Sequence, residues 1–277
     1  MDYKIVADSS CDLNDDLKKK FNIGLVPLKI DVDGHTFVDD DSIEIGKLLT
    51  AMKNSEDPIK TSSPSPGDFL KEYENADNIF VVTISSALSS TYNNAVLAKN
   101  IALESGNKFI HVFDSLSASI GETLVSLKIF DLIQKSYSRD DIVSKTEEYI
   151  KEMKTFFILE SLDNLIKAGR IGKVMGHIAT AFSIKPVMGS NDDGTIKLVE
   201  KVRGSKKAFR RLVDIIGEQG EKIEDKILGI AHCNALEKAE NLKKEIQKRY
   251  KFKEVIIVET AGLSTAYAYD GGIILAF

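Results

Sequence analysis

The segment Asn78 to Ser85, NIFVVTIS, is nearly continuously apolar from Ile79 to Ile84, broken only by Thr83, and no other stretch constrains the fold as tightly. A strand with one face in water alternates apolar and polar residues. A nearly unbroken run of this length instead fits a strand covered on both faces, inside a parallel sheet flanked by helices. The residues around it keep the required rhythm. Tyr3 to Ala7 is a β-rich run ending in the polar cluster Asp8-Ser9-Ser10-Cys11-Asp12, and Leu13 to Phe21 then reads as a short charged helix. Ile23 to Val32 is expected as one extended segment closed by the turn dipeptide Asp33-Gly34, with Ser42 capping a helix that runs to Met52. Thr91 to Ser105, Lys108 to Phe113 and Ser119 to Lys135 read as helix, strand, helix. Ser138 opens another helix with Asp141 at the third position, close to a capping box.

The second half has a different rhythm. Thr155 to Glu160, Ile184 to Val187 and Thr195 to Val202 read as strands, the last two joined by a hairpin turn at Asn191-Asp192-Asp193-Gly194 and hence antiparallel. Lys226 to Ala231 and Glu254 to Glu259 flank a lysine-rich amphipathic helix, Ala235 to Tyr250, and Ile273 to Phe277 closes the chain as a strand. The expectation is an α/β chain of two domains: a parallel-sheet α/β/α unit over residues 1–153 and an α+β unit with a mixed or antiparallel sheet over 154–277. No proline/glycine linker separates them, so a shared interface is the natural place for a ligand cleft. The lysine and glutamate run from Glu237 to Lys253 reads as a solvated helix face.

Composition removes whole classes of function. A net charge of -5 over 277 residues gives no footprint for nucleic acid, and no stretch approaches the roughly 18 apolar residues of a membrane helix. The two cysteines, Cys11 and Cys233, lie far apart and belong to no CxxC pair, which fits a reducing cytoplasm and supplies neither a disulfide framework nor a zinc spacing. His35, His111, His177 and His232 are too scattered for a metal site. The phosphate-loop, dinucleotide, zinc-protease and serine-hydrolase signatures are all absent, so neither metal nor cofactor is expected. Cys11 follows a strand, but Leu17 stands where a cysteine-phosphatase loop needs arginine, so the thiol reads as a small packed side chain.

What the chain does offer is hydroxyls in loops. Lys60-Thr61-Ser62-Ser63-Pro64-Ser65-Pro66 precedes a helix, and Ser85-Ser86-Ala87-Leu88-Ser89-Ser90-Thr91-Tyr92 links the apolar strand to the next one. Each resembles an anion seat, in which hydroxyls and helix-start N–H groups hold a carboxylate or phosphate. Each is also what plain helix caps look like. A third cluster, Leu162 to Gly172, reads as one helical turn ended by glycine, leaving Arg170 projecting from a bend where it binds an anion or caps carbonyls.

Together these clusters resemble the DegV family, bacterial fatty-acid-binding proteins that serve a fatty-acid kinase. The resemblance covers essentially the whole chain: Val6 to Leu13, Val26-Pro27-Leu28, Lys60 to Ser65 for TSxPS, Ile84 to Tyr92 for SSxLSGTY, Phe113-Asp114-Ser115 with Ala118-Ser119, Leu162 to Ile171 for LxxLxKGGRI, Ile184-Lys185-Pro186, and Lys201 to Gly204 with Lys206-Lys207-Ala208. It implies a two-domain protein that encloses one long acyl chain and catalyses nothing itself. Hydroxyls of the TSxPS and LSGT loops hold the carboxylate in the family, which maps onto Thr61 and Ser89 with Ser62 and Ser90 adjacent. Arginines of the GGRI and KxRG motifs dock the kinase catalytic subunit, here Arg170 and Arg203. Such a protein takes a fatty acid from the membrane in a transient contact, presents it for phosphorylation and carries the acyl phosphate onward.

This sequence departs from the pattern at three places. Ser90 replaces the LSGT glycine, Ala168 replaces the first glycine of GGRI, and the C-terminal loop lacks the family's carboxylate-contacting histidine. Ser264 aligns there, with Tyr267 and Tyr269 as further donors. Two other readings stand beside the carrier: a DegV-fold protein for another anionic amphiphile, and an enzyme on a small phosphate or carboxylate substrate, with Ser89 or Thr61 as nucleophile and Asp8, Asp114 or a histidine as base.

Overall fold

The apolar run becomes strand β6 (Asn78–Thr83), which lies inside a parallel sheet with β1 (Tyr3–Asp8), β2 (Gly24–Val26) and β7 (Phe109–Asp114), in the order β2-β1-β6-β7. The computed structural model describes residues 3–74, 76–104, 106–171 and 184–277. Gly172 and His177 lie outside them. Successive side chains of a strand point to opposite faces, and both faces here are apolar. Val6, Ile79 and Val81 pack under α3 (Pro66–Tyr73) and α4 (Thr91–Glu104), through Phe69, Tyr73, Ala95 and Ala98. Ile5, Ala7, Phe80 and Val82 face α5 (Ile120–Gln134).

Helix α5 is buried without a break from Ile120 to Leu127, because it has a sheet on either side: β1 and β6 on one, β11 (Ile227–His232) and β13 (Ile273–Ala276) on the other. A helix apolar all round has no solvated face to present. Helix α6 (Arg139–Glu152) covers it, started as expected by Ser138, whose hydroxyl accepts from the Asp141 N–H at 3.2 Å.

The second sheet has six strands in the order β10-β9-β8-β13-β11-β12, with β8 (Thr155–Ile158), β9 (Ile184–Ser190), β10 (Ile196–Arg203) and β12 (Glu254–Glu259). Only β11 and β12 run parallel; the other pairs are antiparallel, and the β9–β10 hairpin turns at Asn191 to Gly194 as the sequence indicates. Helices α8 (Ser205–Gln219) and α9 (Leu236–Gln247) close its far face over Leu212, Ile216, Leu242 and Ile246. The α/β class and the mixed second sheet match the sequence reading.

Two local expectations are corrected. Ile23 to Val32 is not one segment: β2 belongs to the parallel sheet, whereas β3 (Lys29–Val32) joins a small antiparallel sheet with β4 (His35–Val38) and β5 (Lys60–Ser62), in the order β4-β3-β5. Pro27 lies at the break, where its missing N–H removes a ladder bond. Ser42 does not cap a helix. Its N–H and hydroxyl both turn to Asp40, so α2 (Ile45–Asn54) starts two residues later than expected, after Glu44. Among the described residues no helix is long and apolar enough to cross a membrane, and no group of acidic, histidine or cysteine side chains is arranged to hold a metal.

Candidate functional site: an apolar cavity with a hydroxyl mouth

Two aspartates brace the loops that leave the parallel sheet. The Asp8 carboxylate accepts from the N–H groups of Ser10 (2.9 Å) and Ile84 (2.8 Å), tying the end of β1 to the end of β6. Asp114 accepts from Ser86 N and Leu116 N, each at 3.1 Å, tying β6 to β7. Both are thereby engaged in holding backbone.

Between these loops and the second sheet lies a cavity of about 170 Å³. Leu28, Ile84 and Leu263 form one wall; Phe157, Leu159 and Ile274, from β8, its following turn and β13, form another. The hydroxyls gather along the same lining. Thr61, Ser63, Ser89, Ser90 and Ser264 all border the cavity. Thr61 comes from the edge strand β5 rather than from a loop at the end of the parallel sheet, and Ser62, its neighbour on that strand, is exposed and outside the lining. The period-2 alternation of a strand separates the pair.

Four of these hydroxyls already pair with other hydroxyls, while Ser264 turns to the Asp12 carboxyl. Thr61 Oγ1 lies 2.8 Å from the Tyr267 hydroxyl, Ser63 Oγ 2.8 Å from Ser90 Oγ, and Ser89 Oγ 2.8 Å from Thr91 Oγ1. Asn94 Nδ2 donates to Ser63 Oγ at 3.1 Å and fixes the loop between β5 and α3 against α4. A hydroxyl both donates and accepts, so such pairs can turn their protons toward an anion without moving heavy atoms. Deeper in the lining, Ser117 Oγ and Thr155 Oγ1 form another pair at 2.8 Å, which sequence reading did not single out.

Tyr267 and Ser264 belong to α10 (Gly262–Ala268), which forms a wall of the cavity through Leu263, Ser264, Tyr267 and Ala268. Tyr267 therefore supplies a hydroxyl in the C-terminal segment that lacks the family's histidine. Among the described histidines none borders the cavity.

Among the described residues, Arg170 is the one charged residue in the lining. Helix α7 (Asp163–Lys167) ends at Gly169, whose φ of +75° favours glycine, and the chain turns so that Arg170 Nε donates to Leu88 O at 3.2 Å while the guanidinium also reaches Ala168 O. Of the two roles open from sequence, carbonyl capping is occupied. Arg203 ends β10, is exposed and lies outside the lining.

Beneath the cavity sits a set of buried carboxyl groups that the sequence did not bring together. Burial lifts Asp8 and Asp12 from 3.8 to about 7, against the hydrogen bonds they accept. Burial also raises Asp39, and it drives Glu122 on α5 well above its ordinary 4.5, with the charge of Asp8 adding to the effect. Neither Glu122 oxygen makes a hydrogen bond of good geometry among the described residues, although the Ser10 hydroxyl exerts a weaker polar pull. Such surroundings favour the neutral form of the acid. Ser119, bordering the cavity, stands at φ 58° and ψ −129°, a conformation kept by Ser119 N–H to Ser10 Oγ and Ser119 Oγ to Asp12. Strain of this kind concentrates at functional sites.

An α/β layered fold with a largely apolar cavity, lined at one part by neutral hydroxyls, defines the class of chain that holds a small molecule in a preformed pocket. A profile of the DegV family of uncharacterised proteins matches residues 2–276, and the chain belongs to that family. A DegV domain-containing protein of Streptococcus pyogenes serotype M1 is 35% identical, with 100% of this chain and 99% of that protein covered. The crystal structure of a DegV family protein from Ruminococcus gnavus, refined with vaccenic acid, superposes with a TM-score of 0.97 at 41% identity, covering 100% of this chain and 99% of that one. The Fatty Acid Kinase (Fak) B3 protein of Streptococcus pneumoniae, loaded with linoleic acid, superposes with a TM-score of 0.92 at 34% identity, again covering 100% and 99%.

Proposed function

We propose that this chain binds one long-chain fatty acid in the cavity, with the carboxylate at Thr61, Ser89, Ser90, Ser264 and Tyr267, and presents it to a separate fatty-acid kinase. The observation that carries this reading is the chemistry of the lining: apolar walls, hydroxyl pairs, and Arg170 as the one cation among the described lining residues. Burying the tail supplies the affinity, at roughly 0.8 kcal/mol per CH₂. The head group then needs only orientation, and hydroxyl donors meet that need while leaving a carboxylate oxygen open to a phosphoryl donor. Relatives crystallised with vaccenic and linoleic acids support the same ligand class.

On this reading the protein carries the acyl phosphate onward, exchanges lipid in transient contact with a membrane, and works in the cytoplasm with Cys11 and Cys233 as free thiols. Arg170 and Arg203 contact the kinase. Residues 1–153 act as the domain of the head-group loops and 154–277 as the domain covering the acyl chain. An enzyme using Ser89 or Thr61 as nucleophile is less favoured, because their hydroxyls pair with Thr91 and Tyr267 rather than with a base. A different anionic amphiphile is the remaining alternative. Organic extraction and mass spectrometry of the purified protein test the reading. An acyl chain of long-chain length, at near one per protein, is expected; its absence from both the purified and the palmitate-loaded protein overturns the proposal.

A further inference from the structure

Helix α10 carries Ser264 and Tyr267, yet its first turn is held almost entirely by side chains from the opposite end of the sequence. Asp39 Oδ1 accepts from Gly262 N at 2.6 Å and Asp39 Oδ2 from Leu263 N at 2.8 Å. Asp12 Oδ1 accepts from the preceding N–H, that of Ala261, at 2.7 Å. Three consecutive amides thus end on two buried carboxylates. Ser9 Oγ donates to Asp39 Oδ2 at 2.8 Å and orients it, and the other Asp12 oxygen takes the hydroxyl of Ser119, itself in the cavity lining. At the helix's far side Asn164 Nδ2 donates to Ala266 O at 2.8 Å. Gly262 permits this approach: a Cβ there would sit 2.6 Å from Asp39 Oδ1 and would also strike Ile43.

We propose that Asp39 and Asp12 are positioning residues that latch α10 as a wall of the cavity, so that Ser264 and Tyr267 stay aimed at the ligand's carboxylate. The latch acts at the head-group end, since the helix it holds presents Ser264 and the Tyr267 hydroxyl that meets Thr61. This inference rests on the acyl-binding reading for its ligand but not for its mechanics.

The test compares wild type with Asp39→Ala and with Gly262→Ala, which crowds the latch while leaving its carboxylates in place. Hydrogen exchange without ligand is read over peptides spanning 260–269 and, as reference, over β1 and β6. Exchange faster by about ten-fold or more in the α10 peptide alone is expected, the scale of losing a charge-assisted hydrogen bond. Dissociation of palmitate and of its methyl ester is then timed. Palmitate release is expected to quicken about ten-fold in both variants, and ester release less, because the latch positions groups that read the carboxylate. Asp39→Asn, which keeps one acceptor oxygen, should fall between wild type and Asp39→Ala. Unchanged α10 exchange, deprotection spread evenly over the chain, or equal acceleration of acid and ester overturns the proposal. If wild type binds neither compound, the acyl reading fails while the exchange data still decide the latch.

Discussion

Glu122→Gln is expected to stabilise the ligand-free protein, increasingly so as pH rises. Burial holds this carboxyl well above 4.5, so the folded chain keeps a proton at neutral pH that the unfolded chain has lost. Keeping it costs about 1.4 kcal/mol for each pH unit above the unfolded value of 4.5. That cost grows with pH until the folded carboxyl itself ionises, and a neutral amide of the same shape removes it. The amide still offers a donor and an acceptor to the Asp8 and Ser10 side chains that interact with Glu122. Because the native state binds the extra proton, wild-type stability falls across this window as pH rises, while the variant lacks that contribution. His111 and His232, both lowered by burial, act in the opposite sense below 6.5, but they are common to the two proteins and cancel in the difference. Urea unfolding followed by circular dichroism at pH 5, 6, 7 and 8 reads the result. A difference of under about 1 kcal/mol at pH 5 that grows with pH, by at most about 1.4 kcal/mol per pH unit, is expected. A difference that is flat with pH, or a destabilised variant, would mean that Glu122 is ionised and paired in the folded state, and would refute the reasoning.

Three further outcomes follow from the cavity. Tyr267→Phe removes the partner of Thr61 and should weaken palmitate binding by about ten-fold, near 1.4 kcal/mol, with the methyl ester changed less; competition with a fluorescent fatty acid measures both. Gly194→Ala should cost about 2 kcal/mol in urea unfolding, because φ is +76° there and the new Cβ collides with Ser85 Oγ. Arg170→Ala should leave palmitate affinity within about two-fold while lowering phosphate transfer in the presence of the kinase, since its bonds go to backbone carbonyls; lost binding instead would assign the arginine to the pocket.

The legible parts of this protein were the local ones. The apolar run of β6, the hairpin at Asn191 to Gly194 and the Ser138 cap are set by neighbours in sequence, so reading along the chain found them. Helix α5 carried a readable signal that went unused: an apolar helix with Glu122 near its start announces a buried acid. What could not be read is what the fold brings together. Nothing near Thr61 marks Tyr267 as its partner 206 residues away, and nothing near Asp39 points to the amides of Gly262 and Leu263. Ser62 shows the converse. It sits beside Thr61 in a hydroxyl-rich segment, but strand alternation in β5 turns it outward, and only the assignment of that segment to an edge strand reveals it. Likewise Pro27 separates two strands that pattern alone fused into one.

The central claim is that the hydroxyl-lined end of the cavity holds an acyl carboxylate. Titration with palmitate labelled at its carboxyl carbon, followed by carbon NMR, tests it most directly. One bound carboxyl resonance is expected at a stoichiometry of about one, in slow exchange and displaced by Tyr267→Phe and by Thr61→Val. A saturable tail whose carboxyl resonance stays that of the free ion and ignores both substitutions would contradict the account.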